Sequence, residues 1–147
     1  MDQVLQDELF EKYPDFFSNK DKSPMESCMS MGIECGNGWY DLINSICQIV
    51  ESLNKNIKDR NRLIAGNNEK IIDFKFDQIK EKFGGLRAYY SGGNDYIRGL
   101  VTMAETMSYK TCEVCGNKGK PNKGGWISTL CDSCRSKNGS RTTKSTV

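Results

Sequence analysis

Histidine is absent from this sequence. That absence removes Ser-His-Asp and Cys-His nucleophile schemes, and any histidine general base. It also removes common ligands of catalytic zinc. No apolar run approaches the ~20 residues needed to cross a bilayer, so no membrane association is expected. Strong charge of one sign is missing too, since the formal net charge is only +2. The chain is less basic than a dedicated DNA-binding domain usually is, and not acidic enough to mimic DNA. With no catalytic constellation in view, a non-enzymatic role is expected.

The small net charge hides an asymmetry. Residues 1–70 carry 8 Lys/Arg against 12 Asp/Glu, while residues 71–147 carry 13 against 7. A zinc ion held by four thiolates would bring the basic half down to about +4. A chain of 147 residues fits one compact domain with its own core, so metal is not needed merely to fold.

Cysteine is plentiful, with 7 in the chain. Four of them form two Cys-x-x-Cys pairs, Cys112 with Cys115 and Cys131 with Cys134. Two intervening residues let a tight turn aim both sulfurs at one ion, and two such turns complete a tetrahedron. Gly116 suits the first turn, where a positive φ is often required. The expected cofactor is one structural Zn²⁺ held by Cys112, Cys115, Cys131 and Cys134. A closed four-cysteine site leaves no position for a reactive water. Two disulfides, four free thiols or a redox pair are the alternatives. With no secretion signal at Met1-Asp2-Gln3, a reducing cytosol is expected, where such pairs more often hold metal. Cys28, Cys35 and Cys47 read as small buried thiols; a second metal site there would lack a fourth ligand.

The fold class expected is α+β: helices packed on a small antiparallel β-hairpin or sheet, followed by a C-terminal four-cysteine zinc-ribbon or treble-clef lobe. Residues 1–109 form the core. Leu5, Leu9 and Tyr13 recur at helical spacing, and Pro14 should end that helix, leaving Phe16 and Phe17 on the core. Its acidic side chains form a separate face. Residues 18–37 read as an ordered loop, with Met25, Met29 and Met31 supplying apolar contacts. The main helix is expected over 38–62, capped by Asn37, with Trp39, Ile43, Ile46, Val50, Leu53 and Ile57 in one stripe that Leu42 and Ile49 widen.

Residues 71–91 read as a hairpin. Ile72, Phe74 and Phe76 share a face, a bulge near Asp77-Gln78 shifts the parity to Ile79 and Phe83, and Gly84-Gly85 turns the chain. A helix over 94–109, capped by Asn94, should bury Tyr96, Leu100, Met103 and Met107, widened by Ile97, Val101 and Ala104. Residues 110–137 form the zinc lobe, with Trp126 and Leu130 covering the metal and Cys131 to Cys134 opening a short helix. Residues 138–147 form a flexible tail.

Two surfaces are candidates for binding. Tyr90, Ser91, Gly92, Gly93 and Asn94 make a Gly-rich turn whose free N–H groups suit a phosphate, with Arg87 and Tyr89 on the same hairpin. An ordinary turn is the plainer account. Lys118, Lys120 and Lys123 could touch nucleic-acid phosphates or simply face water. No aromatic residue is interleaved with these lysines, so no stacking platform for single strands is expected.

The string Gly32-Ile33-Glu34-Cys35-Gly36-Asn37-Gly38-Trp39-Tyr40-Asp41-Leu42-Ile43 resembles one found in a family of small phage and prophage zinc-ribbon-like proteins. So do Lys80-Glu81-Lys82-Phe83-Gly84-Gly85-Leu86-Arg87-Ala88-Tyr89-Tyr90, the pair Cys112 and Cys115 with Gly116, Gly125-Trp126, and Thr129-Leu130-Cys131. The likeness spans roughly residues 9–134. Many members carry histidine where this chain has Cys134, which still ligates zinc. Most of the family has no assigned activity, so the resemblance speaks to origin more than to mechanism. It is similar in kind to zinc-containing anti-CRISPR proteins that bind Cas9. The resemblance implies a phage-encoded inhibitor in the cytoplasm of an infected or lysogenic bacterial host, with a Cas9 nuclease as partner. Two other readings stay open: a sponge that sequesters a nucleotide immune signal, and a zinc-ribbon nucleic-acid-binding regulator.

Overall fold

Asp2 opens the first helix by accepting the Leu5 N–H at 3.2 Å. In the computed structural model, which describes residues 1–122 and 125–139, this helix, α1, runs Gln3–Lys12. Leu9 and Tyr13 are buried, and Leu5 is half-buried. Beyond Pro14, Phe16 and Phe17 turn inward onto the sheet. Phe17 lies 5.1 Å from Phe76, and Phe16 lies 5.7 Å from Phe74. Such ring pairs each add about 0.5–1.5 kcal/mol beyond their burial.

The segment expected as a loop holds two short 3₁₀ turns, Ser18–Asp21 and Cys28–Met31, and a strand, β1, at Ile33–Glu34. Of its methionines only Met29 is buried; Met25 and Met31 stand in solvent. Buried Asn19 holds the first turn to the sheet by donating to the Phe76 carbonyl and to Asp77. Gln6 of α1 accepts the Ile33 N–H at 2.7 Å, which fixes β1 against the first helix.

The main helix, α2, runs Tyr40–Leu63. Trp39, Ile43, Ile46, Val50 and Ile57 are buried along its inner face, while Ile49 turns to the exposed side. Asn37 does not cap it. Its side chain is engaged with Asp2 instead, accepting the Asp2 N–H at 2.8 Å, and a 3₁₀ turn Asn37–Trp39 leads into the helix.

Strands β2 (Phe74–Lys82) and β3 (Gly85–Gly92) form the hairpin, with a register shift between Phe76 and Gln78. Ile71 to Asp73 lie outside it. There Asn54 of α2 accepts the Ile72 N–H and donates to the Ile72 carbonyl, so a side chain takes the place of a strand neighbour. Removing both bonds by Asn54→Ala is expected to cost about 1–3 kcal/mol, read as a lower urea midpoint at unchanged slope. β1 pairs β2 in parallel, giving a mixed three-stranded sheet in the order β1-β2-β3. The turn is Phe83-Gly84, not Gly84-Gly85. Both turn residues hold positive φ, and Phe83 is exposed rather than packed inside.

Helix α3 spans Asp95–Ser108, and Asn94 caps it by accepting the Ile97 N–H. Its buried face is Ile97, Val101, Ala104 and Ser108, while Tyr96, Met103 and Met107 are exposed. The helix lies along the free edge of β3 and supplies the acceptors that edge needs. Ser108 accepts the Leu86 N–H at 2.8 Å, and Glu105 accepts the Ala88 N–H at 3.0 Å. Covering the unpaired strand edge and burying Ile97, Val101 and Ala104 together fix the rotation of the helix. No helix among the described residues is long and apolar enough to cross a membrane.

Candidate metal centre

Beyond α3 the chain makes its first cysteine turn. The Gly116 N–H donates to the Cys112 carbonyl at 2.9 Å with Gly116 at φ 76°, the left-handed position that glycine takes without strain. A two-stranded ribbon follows, β4 (Lys120–Pro121) paired with β5 (Thr129–Leu130). It delivers Cys131 to the start of α4, Asp132–Gly139, whose first turn carries Cys134. The Cys134 N–H points at the Cys131 sulfur at 3.4 Å. Arg135 ties α4 back by donating to the Lys120 carbonyl.

These turns bring the four sulfurs of Cys112, Cys115, Cys131 and Cys134 within 4.8 Å of one another, so the cluster could hold a metal ion. Cys115 and Cys131 are 3.6 Å apart, sulfur to sulfur. Burial pushes the Cys112 thiol up, but backbone hydrogen bonds from Cys131, Cys115 and Val114 outweigh it and set the group at about 7. Hydrogen bonding to the Cys131 and Cys115 sulfurs raises Cys134 to about 12. Cys112 is therefore more readily present than Cys134 as thiolate, the form that binds metal.

The lobe is fastened to the rest of the chain through Gly36-Asn37-Gly38. The Gly38 N–H donates to the Glu113 carbonyl at 2.7 Å, and the Glu113 carboxylate accepts the Gly36 N–H at 3.0 Å. Burial raises the Glu113 carboxyl above its ordinary value. Trp39 donates its indole N–H to the Thr111 carbonyl at 2.9 Å. On the hairpin side, Thr129 donates to the Gly84 carbonyl at 2.6 Å. Leu130 of β5 is buried, whereas Trp126, expected to cover the cysteine cluster, is 83% exposed.

The other three cysteines do not join a metal cluster among the described residues. Cys35 and Cys47 are buried, and Cys28 is exposed. Burial pushes the Cys35 thiol up to about 12 and raises Cys47 further. Thiols that stay protonated do not alkylate. Iodoacetamide on the folded, metal-loaded protein is therefore expected to mark Cys28 and spare Cys35 and Cys47. All 7 cysteines should react once metal is removed and the chain is denatured, as intact mass will show.

The Arg87 to Asn94 turn is less open than its composition suggests. Arg87 donates to the Tyr109 hydroxyl at 2.7 Å and to its neighbour's carbonyl. The Gly93 N–H already donates to the Asp73 carbonyl at 2.6 Å, and Ser91 donates to Asp77. Gly92 pairs with Phe74 across the hairpin. Tyr89 stands on the outer sheet face, whereas Tyr90 packs against Phe74 at 5.2 Å. Lys118 is exposed, Lys120 pairs with Asp132 at 3.4 Å, and Lys123 lies outside the described residues, as does most of the tail expected from 138.

Sequence reading missed one cavity entirely. A groove of about 640 Å³ lies between the end of α1, the middle of α2 and residues 71–75. Buried Tyr13, Phe16 and Phe74 form its floor, and Lys12, Lys55, Lys58 and Lys75 surround it, with Asp15, Glu51 and Asp73. Only tertiary packing puts these segments together. No family model matches the chain, and neither do any curated proteins or solved structures.

Proposed function

We propose that Cys112, Cys115, Cys131 and Cys134 hold one zinc ion in a treble-clef lobe, and that this lobe stiffens a non-enzymatic binding protein. The observation that carries the reading is the closed set of four sulfurs. Zinc–sulfur bonds of about 2.3 Å place tetrahedral sulfurs about 3.8 Å apart. The 3.6 Å between Cys115 and Cys131 fits that edge. Four soft thiolates suit zinc and leave it no open coordination position, so its role is structural.

The partner in this reading is a bacterial defence nuclease, a Cas9 first of all. The protein would be phage-encoded and act in the bacterial cytoplasm by occupying a surface that guide or target DNA needs. Support comes from the phage-family resemblance and from an exposed acidic face on α1, including Asp7 and Glu11, opposite in sign to the basic C-terminal half. Co-purification with Cas9 and slowed DNA cleavage are expected. No association and undiminished cleavage across several Cas9 types would overturn it.

A second reading is capture of a nucleotide-like anion, supported by the groove, with Lys55 and Lys58 as its proposed seat in place of Arg87 and Asn94. Lys55 and Lys58 there form no ion pair among the described residues. Calorimetry with cyclic dinucleotides should show heat that Lys55→Gln and Lys58→Gln abolish; no heat with the unaltered chain removes this reading.

A further inference from the structure

Two large aromatic side chains stand in solvent at places where the fold gains little from them. Phe83 is the first residue of the β2–β3 turn and holds φ 53°. A left-handed φ is sterically strained for a bulky side chain, and asparagine or glycine would take the position with less strain. The ring is 67% exposed, so burial offsets little of that strain. Trp126 is 83% exposed on the loop before β5. The two loops meet: a Cβ on Gly84 would lie 2.8 Å from the Ile127 side chain.

Cations accompany Phe83 and a third ring, Tyr89. Lys82 lies 5.5 Å over the Phe83 ring, and Lys80 lies 5.9 Å over Tyr89, which is itself 45% exposed. Lys80 and Lys82 alternate with Ile79 and Glu81, so both face away from the core. The nearby carboxylates are engaged locally. Glu81 accepts the Gly84 N–H, Glu113 accepts the Gly36 N–H, and Asp132 pairs with Lys120. Glu34, beside Lys80 on β1, accepts from Gln78. Lys80 and Lys82 form no ion pair among the described residues.

We infer that Phe83, Trp126 and Tyr89, with Lys80 and Lys82, form a stacking surface for single-stranded nucleic acid. Exposed rings need a flat apolar partner, which an unpaired base supplies and a duplex keeps covered. Adjacent lysines meet the phosphates. An acidic peptide would satisfy the lysines and leave the rings without a planar partner. Lys80, Lys82, Phe83 and Tyr89 come from one hairpin; the contact between the hairpin tip and the lobe loop brings the loop of Trp126 to them. The inference does not depend on the nuclease partner proposed above, and it is tested on the isolated protein.

The experiment is fluorescence polarisation of labelled oligothymidylate with the full metal-loaded chain, at low and at physiological salt. Binding that weakens with salt is expected, with quenching of tryptophan emission. Phe83→Asn and Trp126→Ala should each lower affinity about tenfold. Lys82→Gln should reduce the salt slope by about one. Phe83→Asn should melt at the same temperature or higher, because asparagine tolerates the left-handed φ, which separates lost affinity from lost fold. The inference fails if the unaltered chain does not bind, if the double aromatic variant binds as well, or if duplex DNA or polyglutamate binds equally.

Discussion

Replacing Cys115 by serine is expected to leave the purified protein without metal and to unfold the segment from Cys112 to Cys134. This segment has almost no core of its own. Among its described residues only Cys112, Thr129 and Leu130 are buried, and one of those is itself a proposed ligand. Structural zinc contributes on the order of 10–16 kcal/mol to the folding of small zinc peptides. Losing a ligand removes much of that from a lobe with little else to hold it. The rest of the chain should remain folded, because the main apolar cluster runs from Leu9 to Ala104. Elemental analysis should fall from about one zinc per chain to none. Amide NMR signals should collapse within the lobe and persist in α2 and the hairpin. An unaltered protein that carries no transition metal, or a variant that loads it equally, would defeat the proposal.

Gly38→Ala is expected to be nearly as damaging, although Gly38 binds nothing itself. An added Cβ would sit 2.1 Å from the Cys112 carbonyl oxygen and 2.4 Å from the Gly116 nitrogen. Both are backbone atoms of the first cysteine turn, so neither can swing aside as a side chain would. Relief requires pulling the turn away from residues 36–38, which breaks the Gly38 bond to the Glu113 carbonyl. A loss of about 3 kcal/mol is expected, with weaker metal retention against a chelator. The control is Gly99→Ala in α3, where an added Cβ meets nothing within 4 Å. There alanine should stabilise the helix by about 0.8–1 kcal/mol. Chemical denaturation of both variants tests the pair, and equal stability of Gly38→Ala with the unaltered chain would contradict the docking contact.

Those two glycines show what can be read from a string of residues. Gly38 was visible only as one residue of the string from Gly32 to Ile43; its reason is a backbone approach between residues more than 70 positions apart. The α3 stripe shows the same limit from another side. Helical spacing allowed a face through Tyr96, Met103 and Met107, yet the β3 edge needed Glu105 and Ser108 as acceptors, and the helix turned accordingly. Strand β1 was illegible because two residues pair in parallel with a partner some 45 positions later.

By itself the sequence determined what depends on neighbours a few residues apart: the inner face of α2, the hairpin with its bulge at Phe76 to Gln78, the cap at Asn94, and the four cysteines that can share one ion. Periodicity, caps and ligand spacing act within one or two turns of chain, so they are written locally. Tertiary structure alone decided which glycines carry the lobe, which aromatics are left in water, and where the lysine-ringed groove opens. Those features come from surfaces meeting across long separations, where the interacting partner is set by packing and not by position in the chain.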